Sequence, residues 1–246
     1  MSCHAEFLRV ALANDARLSR AVLTGSIEAV GEHCHDDRQR ALVELVRRVT
    51  TAPWTLSHGD RLRWTAAGLH DDDLLHAIVL SAYFGHLNRI ADAVGVPLDY
   101  TVEIPAPAPD PAQPPLPAAP APITGRRAIE LELRPATDGA LASWRSYIAQ
   151  KTGPLAPGAR AQIADWVATW LGDGSAPRAA DAGPFDAELH ALVERVTLAP
   201  WRLGDAAFQP LRARGFDDAT LFDACATATS AGMFSRIAVA LMALGR

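Results

Sequence analysis

Residues 45–93 read LVRRVTTAPWTLSHGDRLRWTAAGLHDDDLLHAIVLSAYFGHLNRIADA, and residues 192–240 read LVERVTLAPWRLGDAAFQPLRARGFDDATLFDACATATSAGMFSRIAVA. At a constant offset of 147 positions, 19 of these 49 pairs are identical and no gap is needed. Pro53 and Trp54 recur as Pro200 and Trp201, a match that composition alone rarely produces. The pattern predicts a duplicated unit, with residues 45–93 as the first copy and residues 192–240 as the second copy.

Both copies have the apolar spacing and the boundary residues of α-helices. In the first copy, Pro53 ends one helix, and Ser57 and Asp60 lie where the N-cap of a short second helix is expected. Asp71 or Asp72 then caps a long helix over residues 73–94, closed by Gly95. The second copy repeats these signals, and the 140–151 and 157–171 segments before it are also predicted helices. Because alternating strand patterns are absent from the sequence, we predict an all-α fold.

One such helical unit cannot cover its own apolar face, whereas two copies packed as a pseudo-dimer can. We therefore predict a first repeat over residues 1–101, a linker over residues 102–125 and a more divergent second repeat over residues 126–246. The linker is rich in proline and alanine, which favours an extended, semi-rigid spacer. A ligand for a proline-recognition domain is the alternative interpretation of this segment.

Composition and charge exclude several classes of function. A net charge of -5 and a pI near 5.9 argue against a nucleic-acid partner. No continuous apolar run approaches the roughly 20 residues that span a bilayer, so no membrane partner is expected. The amino terminus lacks a secretory pattern, and the three cysteines form no disulfide framework. We predict a cytoplasmic protein that requires no cofactor.

Three segments of the first half carry a family resemblance. They are VTTAPWTL at residues 49–56, RWTAAGLHDDDLLHA at residues 63–77 and AYFGHLNRIADAVGVPLD at residues 82–99. Together they resemble the peroxidase-related branch of the alkylhydroperoxidase D-like and carboxymuconolactone decarboxylase superfamily. The resemblance covers residues 1–100 well and the second copy more weakly. It implies an all-helical, oligomeric protein with hydroperoxide or thiol redox chemistry, and we expect a homo-oligomer.

The sequence departs from that family at its redox motif, Cys-x-x-Cys-x-x-x-His followed by Leu-Arg. His4, Leu8 and Arg9 match the end of the motif, but its two cysteines would lie before Met1. Cys3 is in neither position, and the equivalent segment of the second copy has no cysteine. Either the sequence begins inside the domain or the protein lacks the redox pair. Without the pair, a cycle of thiolate attack and resolution cannot run within the chain.

Candidate site residues come from the polar positions of the first copy. His4 or His86 could act as a general base, with Tyr83 and Asn88 donating hydrogen bonds to an anionic small molecule. Arg89 recurs as Arg236 and is interpreted as structural, binding carboxylates or carbonyls. Residues 32–37 (EHCHDD) contain metal-ligating types, but neighbours on one helix point apart, so we interpret them as a helix amino-terminal turn and predict no metal site.

Three hypotheses of function follow from these residues. The first is an alkylhydroperoxidase D-like redox protein. The second is a cysteine-independent acid–base enzyme that acts on a small organic acid or a natural-product intermediate through His4, Tyr83, His86 and Asn88. The third is a non-catalytic interaction or dimerisation module derived from the same fold.

Overall fold

The computed structural model describes residues 27–32, 34–95, 115–128, 135–179 and 186–246. Within these ranges the chain forms nine α-helices and no β-strand, which confirms the all-α prediction. The helices are α1 (Ile27–Glu32), α2 (Asp37–Thr51), α3 (His58–Ala66), α4 (Asp71–Val94), α5 (Pro135–Gln150), α6 (Pro157–Leu171), α7 (Ala187–Leu198), α8 (Gln209–Ala213) and α9 (Asp218–Ala243). Short 3-10 turns lie at Pro53–Thr55, Pro200–Arg202 and Asp205–Ala207.

The capping residue predicted from sequence is present at the start of α3 but not at the start of α4. Ser57 accepts a hydrogen bond from the backbone of Asp60 at the start of α3, as predicted. The cap predicted for α4 at Asp71 or Asp72 is wrong, because the N-cap residue is His70. Asp73, in the third helical position, reaches back and accepts the His70 backbone N–H at 3.0 Å. A carboxylate at that position can therefore supply the capping bond when the preceding residue is not a usual cap.

The two copies share their turn geometry as well as their residues. Gly68 and Gly215 both have φ of 92°, in the left-handed region that favours glycine. Each glycine follows a short helix, and the residue after the glycine bonds back five positions. The Leu69 N–H donates to the Trp64 carbonyl, and the Phe216 N–H donates to the Leu211 carbonyl. The same local structure thus recurs at an offset of 147 positions.

Helix α9 is the centre of the molecule and packs along both α4 and α6. Its carboxy-terminal half joins the first-copy helices in one buried apolar cluster, and its amino-terminal half joins α6 and α7 in another. By length and composition α9 could cross a membrane, which the sequence analysis did not expect. However, 89% of its apolar 18-residue stretch is buried inside the protein. Such burial is typical of a core helix.

Contacts between the copies are reciprocal. Helix α9 contacts α2 and the Pro53–Thr55 turn of the first copy, while α4 contacts α7 and the Pro200–Arg202 turn of the second copy. The Arg89 Nε donates to the Thr197 carbonyl at 3.4 Å, and the Arg236 Nε donates to the Thr50 carbonyl at 3.3 Å. Thr50 and Thr197 are themselves 147 positions apart, so each arginine binds the corresponding carbonyl of the other copy.

Both arginines are buried and bind carbonyls, as the sequence interpretation allowed. They are 6% and 2% exposed, and each also donates to the carbonyl four residues earlier, Gly85 or Gly232. Burial lowers the pKa of Arg89 to about 10. Burial, and then the positive charge of Arg89, lower the pKa of Arg236.

The described part of the linker contains no helix, and it is anchored to the second half. Ile123 is buried, and its backbone exchanges hydrogen bonds with Gly172 and Gly174 at 2.7 and 3.0 Å. The backbone of Leu116 donates to Leu198, and that of Ala119 donates to Trp170. Residues 115–128 therefore form a strap across α6, α7 and α9 in addition to spanning the distance between the halves.

Candidate functional site

Tyr83 and His86 lie together against a tryptophan from the second half of the chain. They are three residues apart on α4, which places them on one face of the helix. The Trp144 ring of α5 meets the His86 ring edge-on at 5.1 Å between centroids and the Tyr83 ring at 6.1 Å. Two of the four predicted site residues are thus brought together, within an aromatic cluster.

His86 is a buried imidazole with an unsatisfied nitrogen. The side chain is 6% exposed, and its ring forms a hydrogen bond with the backbone of Thr229 on α9. Burial lowers the pKa of His86 below its ordinary value, and the Thr229 bond opposes that shift. The Nδ1 atom is buried without a hydrogen-bond partner. A neutral imidazole with one free nitrogen can accept a proton or a hydrogen bond.

The other two predicted residues do not join this cluster in the described structure. Asn88 is exposed, and its position two residues after His86 turns it toward the opposite side of α4. His4 lies outside the described residues, as does Cys3. The prediction that Asn88 lies beside His86 is wrong, because residues two positions apart on a helix are separated by about 200° around its axis.

At the offset of the repeat, helix α5 corresponds to the segment that precedes His4. The offset of 147 sets Lys151 opposite His4. The two cysteines of the family motif, four and seven residues before that histidine, therefore have Tyr147 and Trp144 as second-copy counterparts. An aromatic side chain of this helix, rather than a thiol, faces His86.

The cysteines in the described ranges show no features of a peroxide-reducing pair. Cys225 is buried in α9, and burial raises the pKa of its thiol to about 12. A thiol of that pKa is essentially un-ionised at neutral pH, and the thiolate is the nucleophile in peroxide reduction. Cys34 is half-buried and donates its S–H to the Val30 carbonyl.

The segment EHCHDD at residues 32–37 includes a helix amino-terminal turn. Asp36 caps α2 by accepting the Gln39 backbone N–H at 2.7 Å, and Asp37 is the first helical residue. This local role agrees with the interpretation favoured from sequence. His33 lies outside the described residues.

Two cavities were not anticipated from sequence. One is an open cleft of about 560 Å³ between the end of α4 and the start of α9, with Val94, Phe208 and Phe222 among its walls. The other, of about 240 Å³, lies between α5, α6, α9 and the segment at residues 173–179, and we call it the α5–α6–α9 cavity. The sequence signal for the second cavity was the set of hydroxyl side chains on α9, such as Thr227 and Ser235.

A search among family models, curated proteins and solved structures finds no match to this chain.

Proposed function

We propose that this chain is an alkylhydroperoxidase D-like protein in which the two copies pack as an internal pseudo-dimer. The reciprocal bonds of Arg89 and Arg236 to the carbonyls of Thr197 and Thr50 support the proposal. In a two-fold interface each contact occurs twice with the partners exchanged. An internal pair related in this way buries apolar faces that a single copy would leave exposed.

For the activity, we propose cysteine-independent acid–base chemistry on a small organic acid or natural-product intermediate, with His86 as the acid–base group. One observation carries this proposal: the Nδ1 atom of His86 is buried and has no partner. Buried polar groups in proteins are nearly always hydrogen-bonded, so an unpaired imidazole nitrogen is a candidate for contact with a bound molecule. Tyr83, on the same face, is the adjacent hydrogen-bonding group.

Access to His86 requires movement of α5, because Trp144 covers the imidazole. None of the α5 side chains is fully buried, so this helix is held less firmly than α9. Elements with few buried contacts open at a lower free-energy cost than core elements. Such an opening of α5 is the route by which we propose that a small molecule reaches His86.

The test is a turnover screen of the full chain against hydroperoxides with thiol donors and against a panel of lactones, hydroxy acids and oxo acids. The proteins compared are the wild type, a variant with all three cysteines replaced by serine, and His86→Met, which introduces the residue found at the equivalent second-copy position, Met233. We expect turnover of an organic acid that survives cysteine replacement, follows a bell-shaped pH profile and is lost in His86→Met. Activity that disappears with the cysteines and persists in His86→Met would reject the proposal in favour of the redox hypothesis.

A non-catalytic module is the second candidate, and a specific observation favours it. His86 is buried, the Trp144 ring meets it edge-on, and Trp144 in turn contacts Tyr83, which is the environment of a core histidine. No turnover in the whole screen, together with self-association in light scattering, is the result expected of such a module. The homo-oligomer and the cytoplasmic location stay part of the proposal in either case.

A further inference from the structure

The α5–α6–α9 cavity is separate from the His86 cluster and has its own chemistry. Its floor is one face of α9, where Thr227, Ala231 and Phe234 follow each other at helical spacing. Helix α5 contributes Arg145 and Ile148 to one wall, and α6 contributes Ala164 to the opposite wall. A volume of about 240 Å³ admits a small organic molecule rather than a large cofactor.

Thr227 has a buried hydroxyl without a partner at the base of this cavity. Its side chain is 1% exposed, and Oγ1 forms no hydrogen bond. Threonines elsewhere in the helices bond back to their own backbone, as Thr197 does to Val193 and Thr169 to Asp165. Thr227 does not form such a hydrogen bond to its own helix backbone. Its hydroxyl is therefore an unpaired hydrogen-bonding group at a residue that lines the cavity.

Arg145 supplies the charge at the wall of the cavity. Its guanidinium carbon lies 4.8 Å from the centroid of the Phe234 ring. The other lining arginines are paired: Arg160 with Asp223 at 2.9 Å and Arg178 with Asp165 at 2.8 Å. In the described part of the chain, Arg145 has no ion pair within 4 Å, although Asp173 and Asp138 attract its guanidinium at longer range.

The acidic group that lines the cavity is already engaged. Asp173 is buried, and its Oδ1 accepts both the backbone N–H and the hydroxyl of Ser175, at 3.0 and 2.7 Å. Asp173 also interacts electrostatically with Arg145, so it offsets part of the positive charge at the wall. The lining contains three arginines against this one carboxylate, so positive groups predominate around a ligand.

We propose that the α5–α6–α9 cavity is a binding site for a small monocarboxylic acid with an apolar body and a hydrogen-bonding group at its far end. The carboxylate pairs with Arg145, which also stacks on Phe234, and the body of the acid lies on Phe234, Ala231 and Ile148. The far polar group bonds to the Thr227 hydroxyl. This inference goes beyond the proposed acid–base function and uses none of its residues.

The repeat supports a site that belongs to the second copy alone. Thr227, Phe234 and Ser235 have Leu80, Leu87 and Asn88 as their first-copy counterparts. Leu80 and Leu87 are 53% and 36% exposed, and the corresponding face of α4 lacks the buried hydroxyl. The second copy therefore has polar residues of its own on α9, in addition to lacking the polar residues that are specific to the first copy.

Calorimetric titration of the full chain with three probes tests the site. The probes are 3-phenylpropionate, its uncharged analogue 3-phenylpropanamide, and 3-(4-hydroxyphenyl)propionate. We expect the acid to bind about tenfold or more tightly than the amide, and the hydroxylated acid to bind more tightly still. No binding of the acids at millimolar concentration, or equal binding of acid and amide, would overturn the proposal without the use of any variant.

Two variants assign the contacts. Arg145→Gln should remove the preference for acid over amide, and the isosteric Thr227→Val should remove the preference for the hydroxylated acid while it keeps the preference for acid over amide. Arg214→Gln is the matched control, since Arg214 also lies over a phenylalanine, Phe216, away from the cavity. An Arg145→Gln variant that folds normally and keeps the acid preference would contradict the assigned site, as would loss of that preference in Arg214→Gln.

Discussion

At the scale of the residue, Gly85 and Gly232 explain how each long helix holds a buried arginine. A Cβ added at Gly85 would lie 2.9 Å from Nη1 of Arg89, and one added at Gly232 would lie 2.9 Å from Nη1 of Arg236. The missing side chain lets the guanidinium fold back onto the carbonyl four residues earlier. The pattern Gly-x-x-x-Arg is therefore retained in both copies for a steric reason.

We expect Gly85→Ala to destabilise the protein by about 1–3 kcal/mol, because the buried guanidinium must move and lose its carbonyl bond. The matched control is Gly59→Ala in α3, where the nearest atom to an added Cβ is Ser57 Oγ at 3.7 Å. That change should be neutral or stabilising by up to about 1 kcal/mol. Urea unfolding of both variants measures the two effects, and equal stabilities would show that Arg89 can yield without cost.

Burial of His86 has a consequence for stability that depends on pH. Its pKa in the folded protein is lowered from the ordinary value of 6.5. As the pH falls through that value, the unfolded chain binds a proton at His86 that the folded chain does not, so the free energy of unfolding decreases. The loss ends once the pH is below the folded-state pKa.

We therefore expect the wild type to lose more stability than His86→Met when the pH is lowered from about 7.5 to about 5.5. The measurement is urea unfolding at a series of pH values, and the quantity compared is the slope of the unfolding free energy against pH. Other titrating groups are common to both proteins, so the difference in slope belongs to position 86. Identical slopes would mean that His86 titrates alike in the folded and unfolded chains.

At the scale of the element, a buried ion cluster connects α6 and the loop before it to α9. Asp223 is 1% exposed and pairs with Arg160 at 2.9 Å and with Lys151 at 3.0 Å. It also accepts the backbone N–H of Leu155. Although burial alone would raise the pKa of the Asp223 carboxyl, hydrogen bonds from Arg160, Lys151 and Leu155 outweigh it and lower that pKa. The first copy has His76 at this position, exposed on the surface, so the cluster is specific to the second half.

We expect Asp223→Asn to destabilise the protein by about 3–5 kcal/mol, because Arg160 would be left as a buried charge without its partner. Asp218→Asn is the matched control on the same helix, since its ion pair with Arg212 is exposed. The control should cost no more than about 1 kcal/mol. Thermal or urea unfolding gives both values, and similar losses in the two variants would contradict a structural role for the buried cluster.

At the scale of the whole molecule, the two copies meet where the arginines of α4 and α9 share an acceptor. The Thr197 carbonyl accepts from Arg89 at 3.4 Å and from Arg236 Nη2 at 3.3 Å. In the proposed pseudo-dimer these groups lie near the axis that relates the copies. Because two like charges bind one shared carbonyl, the packing of one copy is sensitive to that of the other.

We expect Gly85→Ala and Gly232→Ala to be coupled, with a double-mutant interaction energy of at least about 0.5 kcal/mol. The pair Gly85→Ala and Gly59→Ala is the control and should be additive within about 0.5 kcal/mol. Unfolding free energies of the single and double variants give both cycles. Additivity in the first cycle would mean that the two arginines act independently, and it would weaken the case for a shared interface.

Much of the local structure was predictable because it depends on neighbours in the chain. Pro53 and Gly95 determine where α2 and α4 end, and Pro157 determines where α6 begins. The backbone preferences of these residues act over a few positions. The cap of α4 was mispredicted, since His70 and Asp73 compete with Asp71 and Asp72 over the same short span. Of the candidate site, the pairing of Tyr83 with His86 followed from helical spacing, whereas the exposure of Asn88 did not.

The sequence by itself determined the helical class, the repeat at an offset of 147 positions and the retained Gly-x-x-x-Arg, because periodicity and identity are properties of the chain alone. Only the tertiary structure decided that Trp144 contacts His86 edge-on, that Arg89 and Arg236 each bind a carbonyl of the other copy, and that Thr227 lines a cavity with its hydroxyl unpaired. Those outcomes depend on contacts between helices distant in sequence. Burial and hydrogen-bond satisfaction are set by such contacts, which local spacing does not specify.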